Sequence, residues 1–499
     1  MNTTTKKSVI KQYLFIGVAI AIYFLTIRLP LPESFLSAND VTLSLDGRIS
    51  LGVLFFCLFL WITEPIPFHI TGVLGVVLMT FTRVVNISTG AVAGFNDIVR
   101  LGFGDGIIVF FIGILTLSAI VTKSGLGKRI TMFILTITGN KTPNVLLGFM
   151  ITGCVLSFFL TDMAVAAILM PIVRSMCEEE KLVPLKSNFA KALMITCSWA
   201  AIIGGIATPS AGGSNVFAFN AIRNPDLLGY DLTFLGWMMY GVPASLLMMI
   251  PAWLLLLKMF KPEIKQLSRT KEQLKMDFKA LGKMSRDEKV TAAVFLFTVT
   301  LWLTADYISP VIGVNIVPAL PAFLCCALFF LPGMISFKWK EVSNDIAWEG
   351  VILIATGISV GMTMFHTGAA HWMAEKFLGG LLDLHPIFQI FLVVTIVQLI
   401  KVVLSSNTVT ATIIIPVMIV MVQARPLIPH MGIGIILPTA ISLSLAFILV
   451  TSTPTNVIPY STGYFTMSDF AKAGMVMTII SSLILAASMF VIGYTTGLY

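Results

Sequence analysis

Apolar runs of membrane length follow one another from end to end of this chain, separated by short polar or basic segments. A helix needs about 20 apolar residues to cross about 30 Å of hydrocarbon. Runs of that kind predict spans at 12–31, 49–64, 68–83, 104–122 and 235–258, and again at 290–308, 316–335, 347–366 and 472–495. Two further runs are interrupted by polar stretches. Ser157-Phe-Phe-Leu-Thr161-Asp162-Met163-Ala164 divides 143–177, and Ser405-Ser406-Asn407-Thr408-Val409-Thr410 divides 386–421. Each apolar half is too short to cross alone at 1.5 Å per residue. The first pair is flanked by Lys128, Arg129 and Lys141 on one side and Arg174, Lys181 and Lys186 on the other. Basic flanks at both ends place both on one face, so the segment reads as a re-entrant hairpin with its polar tip in mid-membrane. Such backbone is tolerated only where protein or a watery cavity covers it.

The interruptions recur at equal distances. Pro171 follows Asp162 and Pro416 follows Asn407, each nine residues on. Thr208 follows Asp162 and Thr453 follows Asn407, each after 46 residues. These threonines sit in Ala207-Thr208-Pro209-Ser210 and Ser452-Thr453-Pro454-Thr455, which break the runs 188–224 and 433–461. Broken helices in corresponding positions of two halves point to a transporter binding site. Counting spans brings the second hairpin in from the opposite face. The predicted fold is therefore an all-α polytopic membrane protein, about 11 transmembrane helices plus two re-entrant hairpins in an inverted repeat.

Composition narrows the class. The 499 residues are 57% hydrophobic and 11% charged, against about 25% charged in soluble proteins, which leaves no room for a soluble domain. The net charge of +8 would suit a nucleic-acid partner, but the basic residues lie in loops beside membrane ends, where the positive-inside rule accounts for them. The lipid bilayer is the partner, and no nucleic acid is expected. Lys261–Lys289 holds nine Lys/Arg against five Asp/Glu and reads as a cytoplasmic connector. Lys6, Lys7 and Lys11 precede a retained first helix, so the N-terminus is placed in the cytoplasm, which fits a bacterial inner (plasma) membrane. Six cysteines, Cys57, Cys154, Cys177, Cys197, Cys325 and Cys326, lie mostly within apolar spans without metal-ligand spacing. No paired catalytic carboxylates, metal cluster or nucleophile–base set appears, so the chain is not read as an enzyme and no cofactor is expected.

The motifs resemble a known family, the divalent anion–sodium symporters, which carry dicarboxylates, citrate and sulfate. Trp61-Ile-Thr-Glu64-Pro-Ile-Pro67 is similar to the family's W-x-T-E-x-I-P boundary, and Ser406-Asn407-Thr408 to its Ser-Asn-Thr signature. Gly204-Gly205-Ile-Ala207-Thr208 with Asn215 resembles one broken span, and Thr453-Pro454-Thr455-Asn456 with Ser461-Thr-Gly463 the other. The resemblance covers essentially the whole chain. It implies a homodimer in which a static scaffold (1–142, spans one to four, and 290–385, spans seven to nine) flanks a mobile part. The mobile part would comprise 143–260 (hairpin 143–177, broken helix 188–224, span six) and 386–499 (hairpin 386–421, broken helix 433–461, last span). The basic connector 261–289 joins the halves, and the mobile part would move as an elevator with one small-molecule anion per protomer.

The resemblance also implies site residues. Substrate contacts fall on Thr161, Asp162, Met163, Ser406, Asn407, Thr408, Thr208 and Thr453. One Na⁺ site falls on Ser157, Thr161, Asp162 and Thr208, and the other on Ser405, Asn407 and Thr453. Half-helix N-termini after each tip suit an anion, and amide and hydroxyl donors bind it without a full charge. Two departures matter. The first signature reads Thr161-Asp162-Met163 where the family has Ser-Asn-Thr. Five residues before Asn407, where the family commonly has threonine at a sodium site, stands Val402, which weakens the second site, with Lys401 beside it. A membrane carboxylate must be paired, hydrated or protonated. Asp162 could therefore hold Na⁺, titrate and couple transport to protons, meet a less anionic or ammonium-bearing substrate, or form a structural ion pair. Lys401 reads either as a tethered cation replacing one sodium or as a lysine snorkelling to an interface. Glu64 is expected to cap a turn, Asp105 to favour a helix N-terminus, and His366 and His371 to be interfacial.

The sequence thus predicts secondary transport of a small organic dianion, most simply a C4-dicarboxylate, by Na⁺ symport or anion exchange. The alternatives are a proton-coupled anion transporter and a Na⁺/H⁺-type antiporter built on Asp162.

Overall fold

A computed structural model describes residues 3–30, 32, 36–38, 41–82, 92–225, 227–268, 271–378, 384–404, 406–423 and 429–497. Among them the chain is helical apart from a two-residue antiparallel pair, Ser37–Ala38 with Val41–Thr42. In chain order the first helices are α1 (Thr3–Arg28), α2 (Leu45–Thr63), α3 (Phe68–Met79), α4 (Phe95–Phe103), α5 (Gly106–Ser124) and α6 (Leu126–Thr138). The first hairpin is α7 (Thr142–Ser157) and α8 (Asp162–Glu179), and the first broken helix is α9 (Asn188–Gly205) and α10 (Gly213–Arg223). Next come α11 (Phe234–Met259), α12 (Lys271–Ala280), α13 (Arg286–Ile312), α14 (Ala319–Phe329), α15 (Trp339–Ser343), α16 (Trp348–His366) and α17 (Ala369–Leu378). The second hairpin is α18 (Pro386–Val403) and α19 (Asn407–Gln423), followed by α20 (Pro429–Ser442), α21 (Pro454–Tyr460) and α22 (Met467–Thr496).

Seven of these helices are long and apolar enough to cross a membrane. Two expected spans are shorter than their apolar runs. Over 68–83 the helix ends at Met79, and over 316–335 it covers only Ala319–Phe329. At 1.5 Å per residue neither bridges the hydrocarbon alone. Local residues mark the ends: the Thr80 and Thr82 hydroxyls donate to the Val77 and Met79 carbonyls, and Pro318 precedes the second helix. The short helices α4, α6, α12 and α17 were not legible as spans because polar residues interrupt them.

Local chemistry sets the boundaries. Asp105 caps α5 through a 2.9 Å bond from the Ile107 N–H. Ser285 with Glu288, and Thr466 with Asp469, form capping boxes at the starts of α13 and α22, each satisfying two otherwise free N–H groups. Glu64 ends α2 in the left-handed conformation at φ 48°, so it shapes the turn before Pro65, as expected.

The hairpins enter from opposite faces. Both feet of the first are tied to the connector: Thr142 donates from its N–H to the Lys265 carbonyl at 3.1 Å and from its hydroxyl to that of Ile264 at 2.6 Å. At the other foot Glu180 accepts from the N–H and hydroxyl of Ser268 at 2.8 and 2.6 Å. The second hairpin starts at the far face, where His385 meets Phe490 near the end of α22 with ring centroids 5.5 Å apart.

Packing between elements uses small residues, as it must where lipid supplies no hydrophobic drive between helices. α9 is buried over nearly its whole length and lies against α7. A Cβ on Gly204 would sit 2.3 Å from the Cys154 carbonyl oxygen, and one on Gly153 would sit 2.4 Å from the Ala200 Cβ. Replacing Gly204 by alanine is expected to cost about 1–3 kcal/mol through overpacking. The check is the apparent melting temperature of the purified protein; an unshifted value would mean the two helices separate freely.

Candidate functional site

The two hairpin tips face each other across the interior. At the first, Thr161 is extended and starts α8, and Asp162 Oδ1 accepts from the Met163 N–H at 2.9 Å. The Thr455 hydroxyl also donates to that carboxylate. At the second, Ser406 Oγ accepts from the Val409 N–H at 3.3 Å, and the Thr410 hydroxyl donates to the Ser406 carbonyl at 2.9 Å. Thr161 donates its N–H to Ser118 Oγ on α5 at 3.1 Å, a contact that tip motifs alone could not reveal.

A cavity of about 440 Å³ lies between the tips. Thr161, Asp162, Met163, Ser406, Asn407, Thr408 and Thr453 line it, together with Gly212 and Gly213 at the start of α10. The N-termini of α8, α19 and α10 thus converge on one space, and each carries about half a positive charge. His69 and Glu349 line the other wall, with the Glu349 side chain 81% exposed and 3.9 Å from His69. They mark the mouth, on the connector face. Toward the opposite face, Asn220 Nδ2 donates to both oxygens of Asp105 at 2.9 Å, so Asp105 joins α10 to α5 as well as capping its own helix. His69, Glu349, Ser214 and Ser444 also line the cavity but belong to no spaced motif, which is why sequence reasoning missed them; Thr455 lines it too and lay within a quoted motif without being assigned a role.

Two predicted residues lie behind the first tip, outside the cavity lining. Ser157 is fully buried, and its hydroxyl has no hydrogen-bond partner. The Thr208 hydroxyl donates to the Phe158 carbonyl and lies 3.0 Å from Ser210 Oγ. A Cβ built on Gly205 would be 3.6 Å from Ser157 Oγ and 3.8 Å from the Asp162 Cβ. Ser157 Oγ, the Asp162 Cβ and the Ala211 Cβ thus meet beside Gly205, where the unpartnered Ser157 hydroxyl is a hard oxygen of the kind Na⁺ accepts.

The second tip is built differently. Counting back from Asn407 sets Val402 opposite Ser157, but burial does not. Phe149, Met150, Gly153, Cys154 and Ser157 are buried on α7, and Val393, Val394, Val397, Gln398 and Lys401 are buried on α18. The members of each pair are 244 residues apart; a spacing of 245 sets the same α18 residues against Gly148, Phe149, Thr152, Gly153 and Leu156, which are buried too, so the residues next to the tip distinguish the two. Val402 is 37% exposed, while Lys401 is 1% exposed and holds the place of Ser157. Its Nζ donates to the Leu443 carbonyl at 2.7 Å, just past the C-terminus of α20, where a cation is favoured by the helix dipole. Its charge also acts on Asp162 of the first hairpin. The lysine does not snorkel to an interface. Asn407 Oδ1 is buried without a partner; Ser405 lies outside the described residues.

The broken helices share one clamp. Asn215 Nδ2 donates to the carbonyls of Gly205 and Thr208 at 2.7 and 3.0 Å. Asn456 Nδ2 donates to those of Ala446 and Leu449 at 2.8 and 3.2 Å. Donors and acceptors are all 241 residues apart, so the structural counterpart of Thr208 is Leu449, and that of Thr453 is Gly212. Gly212 and Thr453 share an extended backbone, φ −167° and −157°. The equal 46-residue spacing of Thr208 and Thr453 is therefore not an equivalence. The two threonine–proline pairs sit four residues out of register, one behind its tip and one in the cavity wall.

The model of the family described as sodium:sulfate symporter transmembrane region matches residues 11–497. The sodium-dependent dicarboxylate transporter SdcS of Staphylococcus saprophyticus is 28% identical over 452 residues, covering 85% of this chain and 82% of the relative. SdcS of Staphylococcus aureus strain USA300 is 27% identical over 443 residues, with the same coverage of both chains. The crystal structure of the YdaH transporter from Alcanivorax borkumensis aligns over 90% of this chain and 98% of its own, with a TM-score of 0.53 and 14% identity, a likeness of fold alone.

Proposed function

Because this chain belongs to the sodium:sulfate symporter family over residues 11–497, we propose that it carries C4-dicarboxylates across a membrane with Na⁺ as coupling ion. The observation that carries this reading is the cavity between the two tips, where Thr161–Met163, Ser406–Thr408 and Thr453 meet three helix N-termini. Backbone and amide donors at such ends hold a carboxylate without a fixed cation, which lets the cargo leave. The relatives named for sodium-dependent dicarboxylate transport support the same chemistry.

Substrate would contact Thr161, Asp162, Met163, Ser406, Asn407, Thr408 and Thr453. Na⁺ would sit behind the first tip, on Ser157, Asp162 and the backbone beside Thr208. Behind the second tip the Lys401 ammonium takes the place of a second Na⁺, so one coupling ion would suffice. The hairpins, broken helices, α11 and α22 would move as an elevator against the remaining helices, within a homodimer. With the connector in the cytoplasm, the cavity described here is the inward-open one, closed on the outside by the Asp105–Asn220 contact.

The test is uptake of labelled succinate into proteoliposomes. An inward Na⁺ gradient should drive uptake, with a hyperbolic dependence on Na⁺ concentration. A sigmoidal dependence would count against Lys401 as the second cation. Uptake only against internal substrate would replace symport by exchange, and acceleration by an inward proton gradient alone would assign the coupling to Asp162.

A further inference from the structure

The walls of the cavity are electrically lopsided. Of the described residues lining it, none is lysine or arginine, while Asp162 and Glu349 are carboxylates and His69 is the remaining titratable group. Lys401 does not line it; its Nζ is turned to the Leu443 carbonyl. The helix ends are unequal too. Asn407 at the start of α19 is uncharged, so that N-terminus is free to receive an anion. Asp162 occupies the first turn of α8, where its carboxylate offsets the positive end of its own helix. One side of the cavity therefore favours a carboxylate, and the other favours a cation.

The hydrogen bonds of Asp162 leave capacity for that cation. A carboxylate offers about four acceptor positions; the Met163 N–H, the Thr455 hydroxyl and Asp162's own N–H take three of them, which leaves one. A simple dianion would bring a second carboxylate toward this group, and like charges repel strongly where water is scarce. An ammonium group on the same cargo turns that repulsion into a charge-assisted hydrogen bond.

We infer that the preferred cargo is an amino-dicarboxylate of net charge −1, whose ammonium group meets Asp162 while its distal carboxylate meets Ser406, Asn407 and Thr408. This rests on the cavity being the cargo site and names the cargo's chemistry within it.

The experiment is calorimetric titration of the purified protein in Na⁺ with L-aspartate, L-malate and succinate. Malate replaces the ammonium by a hydroxyl at nearly constant size. L-Aspartate should bind at least tenfold more tightly than either, and Asp162→Asn should bring that ratio to unity or below. Malate or succinate binding as tightly as L-aspartate to the unmodified protein overturns the inference and leaves the dicarboxylate reading intact; this comparison requires no variant to fold. An Asp162→Asn protein that loses affinity for all three ligands in equal proportion, with the ratio preserved, makes Asp162 a Na⁺ ligand only and also overturns it. No binding of any of the three removes both the inference and the reading beneath it.

Discussion

Replacing Lys401 by methionine is expected to destabilise the transport core by about 1–3 kcal/mol, the cost of leaving the buried Leu443 carbonyl without its donor. Methionine keeps most of the volume, so packing around α18 changes little. What changes is electrostatic: the Leu443 carbonyl loses its 2.7 Å donor, and Asp162 loses the positive charge that acts on it. Asp162→Asn in the same chain should return part of the loss, because the uncompensated carboxylate is then gone and the Met163 N–H and Thr455 hydroxyl still have an oxygen to bond. Apparent melting temperatures of the two single variants and the double variant close the cycle. A double variant no more stable than Lys401→Met would show that the two charges act independently and that the lysine serves Leu443 alone.

The second large effect is at Asn215. Asn215→Leu should cost about 2–6 kcal/mol, since two buried carbonyls lose their donor at about 1–3 kcal/mol each. The Ser444 hydroxyl, which donates to Asn215 Oδ1 at 2.7 Å, is left with the longer 3.3 Å contact to Ser214 Oγ. Asn456→Leu removes the matching clamp, but Asn456 Oδ1 has no partner to begin with, so its loss should be smaller. Melting temperatures of both variants, and their yield as monodisperse protein, measure the difference. Equal losses would mean that the Ser444 bond contributes nothing, and that the broken backbone alone sets the cost.

Much of the architecture was legible because the membrane imposes it. A helix that crosses hydrocarbon must be apolar, so α1, α2, α5, α11, α13, α16 and α22 could be read from hydropathy alone. A polar tip in mid-membrane is costly unless it lines a site, which made Thr161-Asp162-Met163 and Ser406-Asn407-Thr408 stand out, and both line the cavity. The short elements were less legible. α3 and α14 are shorter than the apolar runs that hold them, since a hydropathy average passes over the Thr80 and Thr82 side chains that bond the end of α3 and over Pro318 before α14.

The register between the halves shows where reading along the chain fails. Spacing paired Thr208 with Thr453 and Ser157 with Val402, since a one-dimensional count cannot see which residue before a tip turns inward, or a break displaced by four. The structure decides these from burial and hydrogen bonds: Lys401 turns inward where Val402 was expected, and Asn215 and Asn456 clamp equivalent carbonyls. His69 and Glu349 joined the site only because α3 and α16 pack side by side. What the sequence determined by itself is the set of elements and their polar interruptions, because burial in lipid is a property of each segment alone. Which side chains share a cavity, and which charge answers which, depends on helices distant in sequence meeting at a fixed rotation. Only the tertiary structure decides that.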